Sequence, residues 1–310
     1  MIKENNFNFK GFWAKYNDYE IIKSNNEFYI RPIKNSEYTV YDVYDVDKEI
    51  LKDFLLIGRE TLNYTNNRDI ECNLMSTETK YQELVLDFVK KYGLLGDLTY
   101  NPLNTKLISA GEVYLQGYSE ITKVSANNYI KPFFVEDENI LNIDFNNGLN
   151  ESIIKYVYGN NPTDELPNSQ EDFNLVFSER YTEKIARILF YSKLLYKIFE
   201  STENSISEDN EDKKAIYQKY ASEFIPNNIA FSFNFDDNKV SLDWQFNSLK
   251  QAMEVLLGLN EANDRKELKM CKHCGKPFIA KNLKAEYDSI SCRNVANVYK
   301  NREKNKEIED

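Results

Sequence analysis

The sequence predicts an α+β fold: a mostly helical body with an N-terminal antiparallel β meander and a later β-hairpin, then a small cysteine-containing finger at the C-terminus. Three observations predict this arrangement. Short aromatic runs alternate with turn residues over positions 1–46, and longer segments with helical apolar spacing follow them. Three of the four cysteines lie between residues 271 and 292.

The composition is that of a folded protein. Hydrophobic residues make up 42% and aromatic residues 14% of the 310 positions, which is enough to build a large core. No run approaches the roughly 20 apolar residues that cross a bilayer, and the first residues lack the apolar region of a signal peptide. Few cysteines, most of them at metal-binding spacing, fit a reducing compartment better than a disulfide framework. We therefore expect a cytoplasmic protein that does not contact a membrane.

Charge is distributed unevenly along the chain. Residues 265–306 contain 12 Lys and Arg against 4 acidic residues, a formal charge of +8. The rest of the chain carries 27 basic and 46 acidic residues, a formal charge of −19. An acidic body with a basic tip predicts that the tip, and not the body, contacts a polyanion such as nucleic acid. A lysine-rich terminus that is only solvated is the alternative interpretation.

The first predicted element is the β meander, at about residues 1–46. Its strands are expected where aromatic and β-branched residues alternate, at 7–9, 19–22, 28–30 and 38–43. Asn, Asp and Ser residues between these runs provide the turns.

A helical region is predicted from 47 to 225. Asp47 is in position to cap a first helix that buries Ile50, Leu51, Phe54 and Leu55. Apolar spacing predicts further helices over 79–92, 171–199 and 212–224, with a polar acidic loop between the last two. The segment 94–150 has the composition of loop mixed with short helix.

A β-hairpin is predicted at 227–245, because apolar and polar residues alternate on both sides of the turn residues 236–238. A helix over 247–258 follows the hairpin. A charged linker then separates the body, 1–260, from the finger, 265–307.

The finger has the residue spacing of a metal site. Cys271 and Cys274 form a Cys-x-x-Cys turn, and Gly275 allows the positive φ that brings backbone amides towards the sulfur atoms. Cys292 provides a third thiolate, and Asp288, four residues earlier, lies on the same face of a starting helix. Three thiolates with one carboxylate suit tetrahedral Zn2+. We therefore predict one structural Zn2+ ion per chain, held by Cys271, Cys274, Asp288 and Cys292.

Two other residues compete for the fourth ligand position. His273 is the only histidine of the chain, but it lies inside the knuckle, where side chains usually point away from the metal. Cys72 is distant in sequence and has the pattern of an ordinary buried cysteine. The sequence leaves the choice among Asp288, His273 and Cys72 open, and a finger that binds no metal is a further alternative.

Basic residues follow the last cysteine. Arg293, Asn297, Lys300 and Lys304 recur at i, i+4, i+7 and i+11 and so share one face of a predicted helix, with Arg302 nearby. Arg and Lys bond phosphates, and Asn can hydrogen-bond an adenine edge. We predict that these five residues contact nucleic acid. A solvated C-terminal helix is the alternative.

The finger resembles the CGNR-type zinc fingers found at the C-terminus of bacterial proteins regarded as stress-linked transcription regulators. Cys271, Cys274, Gly275 and Phe278 match the knuckle of that pattern, and a final cysteine with its asparagine and a basic helix match at Cys292, Asn294 and 299–302. Asp288, Arg293 and Val295 stand where the pattern has Cys, Gly and Arg. The resemblance covers about sixty residues. It implies a zinc-dependent DNA-binding function for the finger.

Two functions are compatible with these features. The first is a zinc-dependent nucleic-acid-binding regulator, in which the finger and its basic helix contact DNA, while the body senses a ligand or partner or forms a homodimer. The second is a protein-interaction component, for example one related to phage defence or to toxin–antitoxin systems, in which the finger is only structural. An enzyme is not favoured, because the only histidine lies in the knuckle and the acidic clusters have the composition of solvated surface.

Overall fold

The structure is a computed structural model that describes residues 7–9, 12–33, 36–65, 72–96, 112–116, 121–125, 181–224, 230–236, 239–245 and 248–309. Helices and strands are both abundant in these residues. Antiparallel strand pairs near the N-terminus and a later hairpin confirm the predicted α+β class.

The described residues form twelve strands. They are β1 (Phe7–Phe9), β2 (Phe12–Tyr16), β3 (Tyr19–Ser24), β4 (Glu27–Pro32), β5 (Tyr38–Asp42), β6 (Glu112–Gln116), β7 (Ile121–Ser125), β8 (Tyr181–Lys184), β9 (Ala230–Asp236), β10 (Lys239–Gln245), β11 (Leu268–Met270) and β12 (Pro277–Ile279).

They also form seven α-helices, and a 3-10 turn at Val43–Val46 precedes the first. The helices are α1 (Asp47–Thr65), α2 (Cys72–Met75), α3 (Thr79–Tyr92), α4 (Ile185–Ser207), α5 (Glu211–Ser222), α6 (Leu249–Glu261) and α7 (Ile290–Glu309). Four predicted helices and the predicted hairpin are thus present within a few residues of their expected bounds. They are the helix expected to start at 47, the helices expected over 79–92, 212–224 and 247–258, and the hairpin expected at 227–245.

The strands are distributed over four sheets. The largest is antiparallel, with the order β3-β4-β8-β6-β7, while β2 pairs with β5 and β11 with β12. The antiparallel pairing predicted for positions 1–46 is confirmed for β2 with β5 and for β3 with β4. β1 instead runs parallel to β10, beside the β9–β10 hairpin. Its partner lies more than 200 residues away, and local alternation does not reveal such a pairing.

Three strands lie within the region 47–225 that the sequence predicts to be helical, and this is a correction. β6 and β7 fall in the segment 94–150, whose fold the sequence leaves open. β8 occupies the middle of the five-stranded sheet, where Tyr29 pairs with Lys184 and Tyr114 with Thr182. Because β8 pairs with a strand on each side, residues 181–184 form a strand despite the helical spacing of their apolar residues. The helix predicted over 171–199 therefore begins at Ile185, and residues 171–180 lie outside the described part of the chain.

The same helix also ends later than expected, at Ser207, so most of the predicted acidic loop is helical. Hydroxyl groups on this last stretch bond back to the helix itself: Thr202 Oγ1 donates to the Ile198 carbonyl (2.9 Å) and Ser205 Oγ to the Thr202 carbonyl (2.8 Å). The hydroxyl groups thus bond within the helix and do not end it, although the composition of this stretch resembles that of a loop.

A buried carboxylate holds the segment that follows α3. Glu183 accepts hydrogen bonds from the backbone amides of Leu95 (2.9 Å) and Gly96 (2.6 Å). Gly96 has φ of +63°, and a Cβ there would lie 2.4 Å from the Trp13 ring. Both the backbone conformation and the close contact therefore require glycine at this position.

The chain divides into two units. The first draws on residues 1–45, 70–188 and 226–252 and contains the large sheet, α2 and α3. The second draws on residues 46–69, 189–225 and 253–310 and contains α1, α5, α7, most of α4 and the finger. The predicted boundary between a body at 1–260 and a finger at 265–307 stays a prediction.

In the part of the chain that the structure describes, none of the helices combines the length and the apolar character needed to span a bilayer.

Candidate metal centre

The first half of the site is a tight turn between β11 and β12. Leu268 pairs with Ile279 and Met270 with Pro277, which fixes the ends of the turn. Within it, the Gly275 amide donates to the Cys271 carbonyl (2.9 Å), and the Cys271 amide donates to the Lys276 carbonyl (2.9 Å). Gly275 has φ of +70°, as its place after the cysteines predicts.

The second half is the beginning of α7. Ser289 immediately precedes this helix, and its hydroxyl oxygen accepts a hydrogen bond from the Cys292 amide (3.1 Å), as an N-cap side chain does. The same hydroxyl donates to Asp288 Oδ1 (3.1 Å). The helix start therefore fixes Asp288 and Cys292 together, on the side that faces the knuckle.

The four predicted ligands lie together. One donor atom from each of Cys271, Cys274, Asp288 and Cys292 can be chosen so that all lie within 4.8 Å of one another. Asp288 bridges the two knuckle cysteines: its Oδ1 lies 3.4 Å from Cys271 Sγ and its Oδ2 3.8 Å from Cys274 Sγ. Cys271 is buried, Cys274 and Cys292 are half-buried, and Asp288 is exposed. This group could hold a metal ion.

The electrostatics of the group depend on Asp288. A hydrogen bond from the Cys292 thiol, with further bonds from Cys271 and Ser289, lowers the pKa of the Asp288 carboxyl. In return, the hydrogen bond to this carboxylate raises the pKa of the Cys292 thiol to about 12. Burial raises the pKa of the Cys274 thiol. Without a metal ion, the carboxylate carries the negative charge and these thiols keep their protons, so a metal that binds here must displace protons.

The two rival ligands lie elsewhere. His273 is exposed, and its ring stacks on that of Tyr299 with a centroid distance of 6.3 Å and an interplanar angle of 28°. Cys72 is buried in α2, in the first unit, and is not a member of the group. Among the candidates that the sequence leaves open, the structure places Asp288 with the cysteines.

Two side chains from the helices of the second unit hold the knuckle backbone. Arg59, on α1, donates to the Cys274 carbonyl from Nε (3.1 Å) and from Nη2 (2.6 Å). Tyr196, on α4, donates to the Gly275 carbonyl (2.8 Å). Burial raises the pKa of Tyr196, so its hydroxyl keeps the proton that it donates. Both contacts reach the backbone of the loop that carries Cys271 and Cys274.

These two side chains start from a close crossing of α1 and α4. A Cβ placed on Gly58 would lie 2.0 Å from the Ser192 carbonyl oxygen and 2.7 Å from Tyr196 Cβ. Only glycine permits this approach. Because Arg59 and Tyr196 are at the crossing, they can reach the same loop.

A second set of contacts holds the strand that leads into the knuckle. The Lys266 ammonium forms ion pairs with Glu203 of α4 and with Glu261 of α6, and all three side chains are at most 15% exposed. The other oxygen of Glu203 accepts from the Met270 amide (3.2 Å), one residue before Cys271. Sequence inspection did not identify Arg59, Tyr196, Glu203 or Lys266 as part of the site. Their partners are distant in sequence, and no spacing motif marks them.

The predicted nucleic-acid-binding residues all lie on α7. Arg293, Asn297, Lys300 and Arg302 are exposed. Lys304 is in the same helix, but its side chain is outside the described part. At 100° per residue, the predicted stripe of residues 293, 297, 300 and 304 occupies one face of α7, whereas Arg302 lies on the opposite face.

No protein-family model, curated protein or solved structure matches this chain.

Proposed function

We propose that the chain is a zinc-dependent nucleic-acid-binding regulator. The finger binds one structural Zn2+ ion, α7 contacts nucleic acid, and the acidic body senses a ligand or partner. The observation that carries the proposal is the exposed basic helix that starts at the metal group, with Cys292 in its first turn.

The donor set supports zinc. Three thiolates and one carboxylate are ligands that Zn2+ accepts in tetrahedral sites, and Zn–S bonds of about 2.3 Å place sulfur atoms roughly 3.8 Å apart. The observed spacing, with all four donor atoms within 4.8 Å, is compatible with this geometry after a small contraction. Four protein ligands leave no open position for water, which is typical of a structural zinc and not of a catalytic one.

The charge and exposure of α7 support nucleic acid as the partner. None of its residues from 290 to 302 is buried, so over these residues no side chain of the helix covers a core. A polar helix with a cationic face gains stability by neutralising phosphates, and the acidic body would restrict such contact to the tip. The resemblance to CGNR-type zinc fingers agrees with DNA as the target of this helix.

Fluorescence anisotropy of zinc-loaded protein with duplex and single-stranded DNA, across a salt series, tests the proposal. Wild-type affinity should fall as salt rises, and the variant Lys300→Glu/Lys304→Glu should lose binding while it keeps its zinc. The matched control is Lys213→Glu/Lys219→Glu, which changes the net charge equally but on another helix, α5. Binding that both variants lose to the same extent would indicate non-specific charge attraction and contradict the role of α7.

A protein-interaction component is the second candidate. It is favoured by two exposed apolar side chains: Ile216 on α5, a helix with no buried residue, is 67% exposed, and Ile206 near the end of α4 is 68% exposed. In that case the finger acts as a structural clip, and no DNA binding should occur at low salt. Ile206→Asp/Ile216→Asp should then abolish binding of the protein partner without loss of zinc.

A further inference from the structure

We propose that His273 and Tyr299 form a stacking platform for an unpaired nucleobase, so that the preferred ligand of the finger is single-stranded nucleic acid. This inference rests on the proposed function for the charge of the finger. It adds a specific contact and a ligand class that the basic stripe of α7 does not provide.

The aromatic pair joins the same two elements, the knuckle turn and α7, as the four candidate metal ligands. His273 lies between Cys271 and Cys274 in the knuckle turn, and Tyr299 lies seven residues, or about two helical turns, after Cys292. The face of α7 that presents Cys292 to the knuckle therefore also presents Tyr299 to His273. The two rings stack with a centroid distance of 6.3 Å and an interplanar angle of 28°.

The pair remains open to solvent. Tyr299 is 54% exposed, and His273 is exposed as well. Stacking on one another occupies only one side of each ring. Exposed aromatic surface is unfavourable in water unless a partner covers it, and the π-face of a base is such a partner.

Lysines flank the pair. Lys272 precedes His273 and Lys300 follows Tyr299, and both are exposed. Lys272 also forms an ion pair with Glu286 (2.6 Å). One carboxylate against two ammonium groups leaves net positive charge next to the pair, available to the phosphates that adjoin a stacked base.

This arrangement selects single strands over duplex. Aromatic side chains interleaved with cations are the usual binding surface for single-stranded nucleic acid, because every base has a π-face and stacking tolerates any sequence. In a duplex, both faces of each base are already stacked on neighbouring pairs. A duplex can therefore contact the lysines, but it cannot use the platform without unstacking.

The test compares an oligothymidylate of roughly 12 nucleotides, an abasic oligomer of the same length and a matched duplex, all bound to zinc-loaded full-length protein. Tyr299→Ala should weaken oligothymidylate binding by about tenfold or more and leave duplex and abasic binding unchanged. Tyr299→Phe, which keeps the ring, should bind like wild type. Wild-type protein should bind the abasic oligomer as weakly as Tyr299→Ala binds oligothymidylate, a comparison that does not depend on how the variant folds.

The salt dependence separates stacking from charge. Tyr299→Ala should lower affinity at every salt concentration without a change in slope, whereas Lys300→Glu should reduce the slope. If Tyr299→Ala leaves oligothymidylate affinity intact, or if wild type binds the abasic oligomer equally well, the platform is overturned while the proposed function stands. If wild type binds neither duplex nor single strand at low salt, both proposals fail.

Discussion

Arg59 donates two hydrogen bonds to the carbonyl oxygen of Cys274, a residue 215 positions later in the chain. The guanidinium holds the backbone of a proposed metal ligand and not its side chain. The knuckle is thus supported from outside by α1.

Arg59→Ala should destabilise the second unit by about 2 kcal/mol, because a charged donor is lost and the Cys274 carbonyl is left without its partner. Loosening of the knuckle should also accelerate zinc release to a chromogenic chelator. Arg59→Lys should lose part of this stability, since an ammonium cannot reproduce the two-pronged contact. Arg31→Ala, which removes a guanidinium bound to Glu20 in the first unit, is the control and should release zinc at the wild-type rate. Equal release rates for Arg59→Ala and Arg31→Ala would contradict a supporting role for Arg59.

Gly58→Ala should be strongly destabilising. The added Cβ would overlap the Ser192 carbonyl and force α1 and α4 apart, with a loss of about 1–3 kcal/mol or more in the free energy of unfolding. Gly258, on α6, is the matched control because a Cβ there meets nothing within 4 Å. Gly258→Ala should therefore stabilise the protein by up to about 1 kcal/mol through helix propensity. Denaturant titrations of both variants measure the contrast, and a Gly58→Ala protein as stable as wild type would refute the close helix crossing.

Asp288→Ala should weaken zinc binding by more than the roughly 10- to 100-fold that loss of an outer-sphere partner causes, since a direct ligand is removed. Asp288→Cys should tighten binding, because it supplies a fourth thiolate. Competition with a chelator of known affinity measures both, with Asp264→Ala in the exposed linker as the control. If Asp288→Ala still retains one tightly bound zinc, the ligand assignment is wrong and His273→Ala should be tested next.

The buried Lys266 cluster predicts a pH effect. Burial raises the pKa of the Glu261 carboxyl above its usual value of 4.5. The charge of Lys266 opposes this shift, but Glu203 and Glu261 share that single ammonium group. A carboxyl with a raised pKa in the folded state binds its proton more tightly when folded, so its ionisation lowers stability as pH rises above 4.5.

The stability of wild type relative to Glu261→Gln should therefore fall as pH rises above the usual carboxyl pKa of 4.5. Denaturant unfolding at several pH values measures this difference, and Glu83→Gln on the exposed side of α3 serves as the control. A relative stability that rises over the same range would show that the Lys266 charge outweighs burial.

Local patterns predicted those features that depend on neighbouring residues. The knuckle follows from cysteine spacing because its turn is closed by bonds only a few residues long. The same holds for α3 and α6, whose apolar spacing reflects a single buried face, with residues such as Val85 and Phe88 on α3. The α+β class followed from the alternation between these two kinds of local pattern.

The contacts that support the site could not be predicted in this way. In the sequence, nothing distinguishes Arg59 from any other charged residue of a helix. Only the fold shows that it reaches Cys274. The strand at 181–184 was assigned to a helix because Tyr181 and Ile185 have helical spacing, while its pairing with β4 and β6 is set by distant residues. Val113 and Leu115 alternate as strand residues do, and this signal would have identified β6.

The three-segment construction of the second unit has a consequence for biosynthesis. Its helix α1 is translated early, yet the carbonyl that Arg59 binds belongs to a residue made 215 positions later. The entropic cost of closing so long a loop is only slightly greater than that of a shorter loop, because it grows with the logarithm of loop length. Contacts of such sequence separation nevertheless slow folding. An unfinished chain on the ribosome thus presents the guanidinium of Arg59 and the hydroxyl of Tyr196 without their acceptors. This surface can close only after the knuckle has been translated, so the proposed metal site forms later than the helices that support it.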